Sequence, residues 1–198
     1  MMSGKILPIF PKCYYIKDNV CSEILSELEK SVHNLKSRTR RAANFNVNSS
    51  HGGADNLHKM QPFNLLADEI IKSTKEFMIE YGYQRSRIPQ AFIQTMWFNI
   101  SDKGDFLFPH LHPGSFLSGA YYIKTTQENH ILFHDEQKNF YENPEKMNEL
   151  STMIHPVKCE PGRLLIFHSN LEHSTPIQYN PGEKIVVSFN IVLENKKT

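Results

Sequence analysis

Apolar residues recur at two different periods along this chain, and the change falls near Pro89. Before it the spacing is helical. Between Ser22 and Ser37 the apolar positions are Ile24, Leu25, Leu28, Val32 and Leu35, with Ser22 placed as an N-cap. A second helix is expected from Pro62 to about Tyr81, striped by Leu65, Leu66, Ile70, Ile71, Phe77 and Met78. Pro62 suits its first turn and Gly82 its end. The polar, Gly- and Asn-rich stretch 38–59 between the helices reads as a long loop, and residues 5–16 alternate apolar residues with prolines, as an irregular edge strand does.

After Pro89 the period shortens to two. Ala91–Ile100 is β-branched and aromatic and too short for a helix. Leu117–Lys124, His130–His134, Arg163–Phe167 and Ile185–Leu193 read as further strands, separated by Pro113-Gly114, Pro161-Gly162 and Asn180-Pro181-Gly182. Helices followed by a run of short strands give an α+β chain with an antiparallel sandwich or barrel in its C-terminal half. The polar stretch 135–155 interrupts the strands as a lid, a binding loop or a solvated excursion.

Composition narrows the class. At 198 residues one domain is expected, helical over about 20–82 and β-rich over about 89–194. A net charge of +1 with interspersed signs lacks the footprint of a nucleic-acid binder or a membrane-surface face. Three cysteines without CxxC spacing argue for reduced thiols and a cytoplasmic protein, and no 18-residue apolar run is present. A homodimer is compatible with this composition.

The candidate chemistry lies in the stretch from Gly104 to Ile123. His110 and His112 stand two apart, and in an extended backbone such residues share a face, so both imidazoles can meet one metal ion. A third ligand is expected from the loop after the strand Arg163–Phe167, with His173 preferred and His168 its rival. His51, His58, His130, His134 and His155 read as surface histidines.

Several ordered motifs then resemble one family. They are Trp97-x-Asn99, His110-x-His112-Pro113, the run Leu117 to Tyr122, Leu132 to Asp135, Pro161 to Phe167, His173, and Glu183 to Asn190. Together they resemble the 2-oxoglutarate and Fe(II)-dependent oxygenases of bacteria and their viruses. The resemblance implies a double-stranded β-helix, a jelly-roll or cupin-like barrel, with N-terminal helices packed on one sheet. It implies Fe(II), 2-oxoglutarate and O2 as cofactor and co-substrates, and hydroxylation of an unidentified small-molecule or protein substrate.

On that resemblance His110 and His173 are metal ligands, and His112 occupies the position where the superfamily carries a carboxylate. Either three histidines hold the ion, or a carboxylate such as Asp135 swings in. Lys184, eleven residues after His173, falls where relatives place the basic residue that meets the far carboxylate of 2-oxoglutarate. Ser188 and Tyr122 are candidate donors to the same molecule, and Asn99 with Trp97 is expected at the barrel mouth. Two rivals remain at this level. One is a cupin-like three-His dioxygenase without 2-oxoglutarate, for which Gly104 and His110-x-His112 fit but the expected glutamate is missing. The other is a non-catalytic jelly roll holding a structural metal.

Overall fold

The computed structural model describes residues 5, 7, 11–41, 45–135, 145–146, 148 and 151–194. Its strands, in chain order, are β1 (Tyr14–Lys17), β2 (Arg40–Arg41), β3 (Phe45–Asn46), β4 (Asn48–Ser49), β5 (Gln90–Ser101) and β6 (Phe106–His110). They continue with β7 (Leu117–Lys124), β8 (His130–His134), β9 (Ile154–Lys158), β10 (Leu164–His168), β11 (His173–Thr175) and β12 (Lys184–Glu194). Two helices precede the long strands: α1 (Leu25–Asn34), flanked by 3-10 turns, and α2 (Phe63–Glu80). One sheet orders its strands β1-β10-β7-β12-β5-β4-β2, the other β3-β6-β11-β8-β9, and every paired strand is antiparallel. Two facing antiparallel sheets with helices on one of them are the expected double-stranded β-helix.

The period of two decides which side chains meet the helices. Along β12, Ile185, Val187, Phe189 and Ile191 join Met96, Phe98 and Ile100 of β5 and Tyr121 and Ile123 of β7. Leu28 and Val32 of α1 and Phe63, Leu66, Ile70 and Phe77 of α2 close this layer from outside. Fully burying each such side chain stabilises by about 1.5–3 kcal/mol relative to exposure. The alternate residues, among them Ala120, Tyr122, Leu165, Phe167 and Val186, face the other sheet and pack on Ile131, Phe133 and Val157. The adjacent tyrosines thus divide: Tyr121 donates its hydroxyl to the Val20 carbonyl at 2.6 Å beneath the helices, and Tyr122 faces the barrel interior.

Three expectations need correction, and a fourth falls largely outside the described residues. The N-terminal edge strand is only Tyr14–Lys17, paired with β10, and residues 6 and 8–10 of that expectation lie outside the described residues. Ser22 does not cap α1: the chain enters through a 3-10 turn, Ser22–Ile24, with no side-chain cap, and the Val20 amide donates to the Gly162 carbonyl at 2.9 Å. The stretch 38–59 is no plain loop, since β2, β3 and β4 stitch it to both sheets. Most of the 135–155 insertion is outside the described residues, and its last two positions open β9.

The second helix keeps its expected bounds to within a residue. Gly82, at φ +105°, ends it; its amide donates to the Ile79 carbonyl at 3.0 Å and that of Tyr83 to Met78 at 2.9 Å.

Gly119 in the middle of β7 tests the closeness of this packing. A Cβ there would collide with the Phe189 ring and with the Leu165 carbonyl, which belongs to the neighbouring strand and cannot rotate away. Gly119→Ala should lower stability by about 1–3 kcal/mol, read as a fall in the urea midpoint at unchanged slope.

Candidate metal centre

The two sheets contribute different parts of one cavity of about 630 Å³. On the smaller sheet, His110 ends β6 and His173 opens β11, and the antiparallel register makes them direct cross-strand partners. Residues directly opposite in such a pair carry their side chains on the same face within contact distance. That pairing brings together two histidines 63 positions apart, with ring centroids 4.3 Å from each other.

His112 lies beyond the end of β6 rather than on it, in a turn held by its own amide donating to the Ser169 carbonyl at 2.9 Å. It still falls on the same side as His110. Its ring stacks on His173, with centroids 5.1 Å apart and planes 20° apart.

The protonation pattern is readable from the partners. The Nδ1 of His110 lies 2.7 Å from the Phe108 carbonyl, and that of His173 2.9 Å from the Leu171 carbonyl, in each case two residues back along the chain. A carbonyl only accepts, so each Nδ1 carries the proton and each Nε2 presents a lone pair. His112 Nε2 stands 3.3 Å from His173 Nε2, and ligand atoms of all three rings lie within 4.8 Å of one another. Two nitrogens each about 2.1 Å from an ion, at roughly tetrahedral or octahedral angles, are about 3 Å apart. The donor set therefore fits a first-row divalent metal, and the carbonyl partners fix ring orientation as second-shell groups do.

Burial favours the neutral, ligating form. Desolvation lowers His110, against the Phe108 carbonyl and the Glu172 charge, and pulls His112 to about 4 and His173 to about 3, where the neighbouring imidazoles add to it. His173 is 6% exposed.

The other expected residues separate clearly. Lys184, Ser188 and Asn99 all line the cavity from the larger sheet, and Asn99 Nδ2 donates to Ser188 Oγ at 3.3 Å. Tyr122 lines it too, fully enclosed, with Cys159 beside its hydroxyl. Lys184 is 4% exposed, burial lowers its pKa, and among the described residues no carboxylate lies within 4 Å of its amino group.

His168, the rival ligand, is turned toward the helices and lies among Phe77, Tyr81 and Phe116 at 5.1–5.7 Å. Asp135 pairs with Lys12 at 3.1 Å and is not part of the cavity wall; among the described residues the ligand group contains no carboxylate, and Glu172 acts on His110 through its charge. His51 is exposed, as expected, and stands edge-on to Trp97 at 4.7 Å. His58 is half-buried, with an unpartnered Nδ1.

Sequence reasoning missed Arg40 and Arg41, which also reach the cavity. The basic run 38–41 was the available signal, but its fold against β4 depends on two-residue strands without a readable period.

Comparisons with known proteins follow this geometry. Residues 95–190 match a family model described as putative 2OG-Fe(II) oxygenase. A prolyl-4-hydroxylase from Pseudomonas putida superposes with a TM-score of 0.61 at 9% identity, covering 93% of this chain and 94% of that one. HygX from Streptomyces hygroscopicus, with nickel and 2-oxoglutarate bound, gives 0.62 at 11% identity over 92% and 83%. A viral collagen prolyl hydroxylase from Paramecium Bursaria Chlorella virus-1 gives 0.56 at 15% identity over 90% and 94%. No curated protein matches the sequence. These structures share the fold, and the stretch that is similar to the 2-oxoglutarate and Fe(II)-dependent oxygenase family holds all three histidines and Lys184.

Proposed function

We propose that this chain is a hydroxylating oxygenase in which His110, His112 and His173 hold Fe(II) and Lys184 holds 2-oxoglutarate. The observation that carries it is the convergence of three imidazoles in a cavity whose far wall bears a buried lysine with, among the described residues, no carboxylate within 4 Å. Among the described residues the ligand group has three members, which leaves positions for small molecules as catalytic sites do. Iron with 2-oxoglutarate and O2 supplies the oxidant, and the 2-oxoglutarate leaves as succinate and carbon dioxide. The chain's own work is to present three neutral imidazoles, to orient a dianion and to exclude water. Lys184 Nζ would donate to the far carboxylate, with Ser188 hydroxyl and Tyr122 beside it. Lysine offers a point charge rather than the planar fork of arginine, so orientation depends more on those neighbours. Trp97 and Asn99 would shape the mouth.

The substrate of this reaction is a small molecule or a protein segment. No helix of the described residues is long and apolar enough to cross a membrane. The free thiols of Cys13, Cys21 and Cys159 support a cytoplasmic setting.

The direct test is anaerobic loading with Fe(II), followed by visible absorption with and without 2-oxoglutarate. A band that develops only with 2-oxoglutarate and is lost in His110→Ala is expected. Stoichiometric iron without a band would contradict the role given to 2-oxoglutarate.

Lys184 separates function from stability. An unpaired buried cation costs folding free energy, so Lys184→Met should leave the unfolding temperature unchanged or raise it. The same variant should weaken 2-oxoglutarate at least tenfold, about 1.4 kcal/mol, by calorimetry. Unchanged affinity would remove Lys184 from the site.

A pH dependence follows from the histidines. Their folded pKa values lie below the ordinary 6.5, so the unfolded chain takes up protons first on acidification. The stability they contribute is fully present above about 6.5 and drains as pH falls toward the folded values near 4 and 3. Urea midpoints of metal-free protein should decline across that window, and the decline should be shallower in His173→Asn.

A further inference from the structure

We propose that the outer part of the cavity binds a small organic anion, a carboxylate or a phosphate monoester, with Arg40 holding the charge and Trp97 supporting the body of the molecule. As the identity of the substrate it rests on the oxygenase reading, whereas the first two observations behind the anion site are independent of the metal.

The first observation is the contrast between two successive arginines that both reach the cavity. Arg41 is spent on the protein. Its Nη2 lies 2.5 Å from Asp105 Oδ1 and its Nη1 3.2 Å from Oδ2, and Asn46 Oδ1 accepts a further bond from Nη2 at 2.8 Å. Asp105 is 3% exposed, so this pair is fixed from below. Arg40 has nothing comparable. It is exposed at the rim, and among the described residues no carboxylate lies within 4 Å of it.

The second is how Arg40 is seated. Its guanidinium lies against Gly52, where an added Cβ would stand 2.7 Å from Nη2, at a φ of +72°. The head group therefore rests on the turn that carries His51. From that turn an aromatic path runs inward: His51 meets Trp97 at 4.7 Å, and Trp97 meets His112 at 5.9 Å. A molecule whose anionic end sits on Arg40 and whose flat or apolar body lies along this path extends toward the metal histidines. Arginine suits the role because its fork pairs with two oxygens of a carboxylate or phosphate.

The third is the charge of the whole cavity. None of its lining side chains is Asp or Glu. A divalent ion on three neutral imidazoles keeps both charges, and Lys184 and Arg40 each add one. The dianionic co-substrate offsets half of this excess, and an anionic substrate offsets more. In a partly enclosed site such uncompensated charge selects anions over neutral molecules of equal shape. A volume near 630 Å³, shared with 2-oxoglutarate, limits the occupant to the size of an aromatic acid or a sugar phosphate.

Trp97 supplies the readout, since it is the single tryptophan of the sequence and forms the wall in question. Metal-free protein would be titrated with benzoate, phenyl phosphate, benzamide and benzyl alcohol while tryptophan emission is followed. Saturable changes with one or both anions, at least tenfold tighter than with the neutral pair, are expected, and the stronger anion tells carboxylate from phosphate. Arg40→Gln should weaken the anion at least tenfold with an unchanged unfolding temperature, and Arg40→Lys should retain part of the affinity. Equal binding of neutral and anionic probes, no saturable change with any probe, or full affinity in Arg40→Gln would overturn the proposal. So would loss of the anion in Lys184→Met with retention in Arg40→Gln, which would place it in the inner pocket. Because no metal is present, these outcomes are distinct from a failure of Fe(II) or 2-oxoglutarate binding.

Discussion

The register of β12 between β5 and β7 is the constraint on which the rest depends. Val186 lies opposite Asn99 on one side and Tyr122 on the other, and Ser188 opposite Trp97 and Ala120. Even-numbered residues of β12 face the cavity and odd-numbered ones the helices. A slip by one residue would exchange these sets, placing Lys184 and Ser188 against α1 and α2 and emptying the cavity wall. The helical layer thus holds the site indirectly: Ile185, Val187 and Phe189 are anchored in apolar packing, and that anchoring aims Lys184 inward.

The smaller sheet does the corresponding work for the three histidines. Cross-strand pairing sets His110 against His173, and each ring is oriented by a carbonyl two residues upstream in its own chain segment. The orientation is local and the encounter is long-range. Three desolvated imidazoles in contact would be a net cost without a ligand, because their lone pairs face one another rather than water. Retaining that arrangement at the bottom of a cavity is the kind of local conflict expected where a fold gives up stability for binding.

The long regular elements were legible from period alone. Leu117–Lys124 and His130–His134 appear with the ends their patterns imply, and α2 within a residue of its own. The His-x-His pair was legible as chemistry before any geometry. Short elements were not. A two-residue strand such as Arg40–Arg41 has no period, and it exists only because Asn48–Ser49 and β5 offer a sheet edge. β11 is three residues long, so His173 read as a loop residue although its role depends on strand pairing. Ion pairs across great sequence distance escaped for the same reason: Asp105 meets Arg41 64 positions away, and Asp135 meets Lys12 123 positions away. Sequence could not tell that the first pair silences one arginine and leaves its neighbour unpaired.

On the proposed function, the replacement of a carboxylate by His112 and the use of lysine at 184 would belong to one electrostatic arrangement. In the usual triad the protein supplies a negative charge to the metal, so the ion is partly neutralised before any small molecule arrives. Here the described site supplies none, and its two fixed features, three neutral nitrogens and a buried ammonium, both favour an incoming anion. A dianion bridging the ion and Lys184 would relieve the charge of each, and each makes the site more favourable for it. Binding of metal and co-substrate would then be mutually reinforcing by linkage, since whatever the second stabilises in the presence of the first must act equally in return. Among the described residues the nearby carboxylates act on the site through their charge: Asp105, ion-paired with Arg41, acts on Lys184, and Glu172 acts on His110, while Asp135 pairs with Lys12.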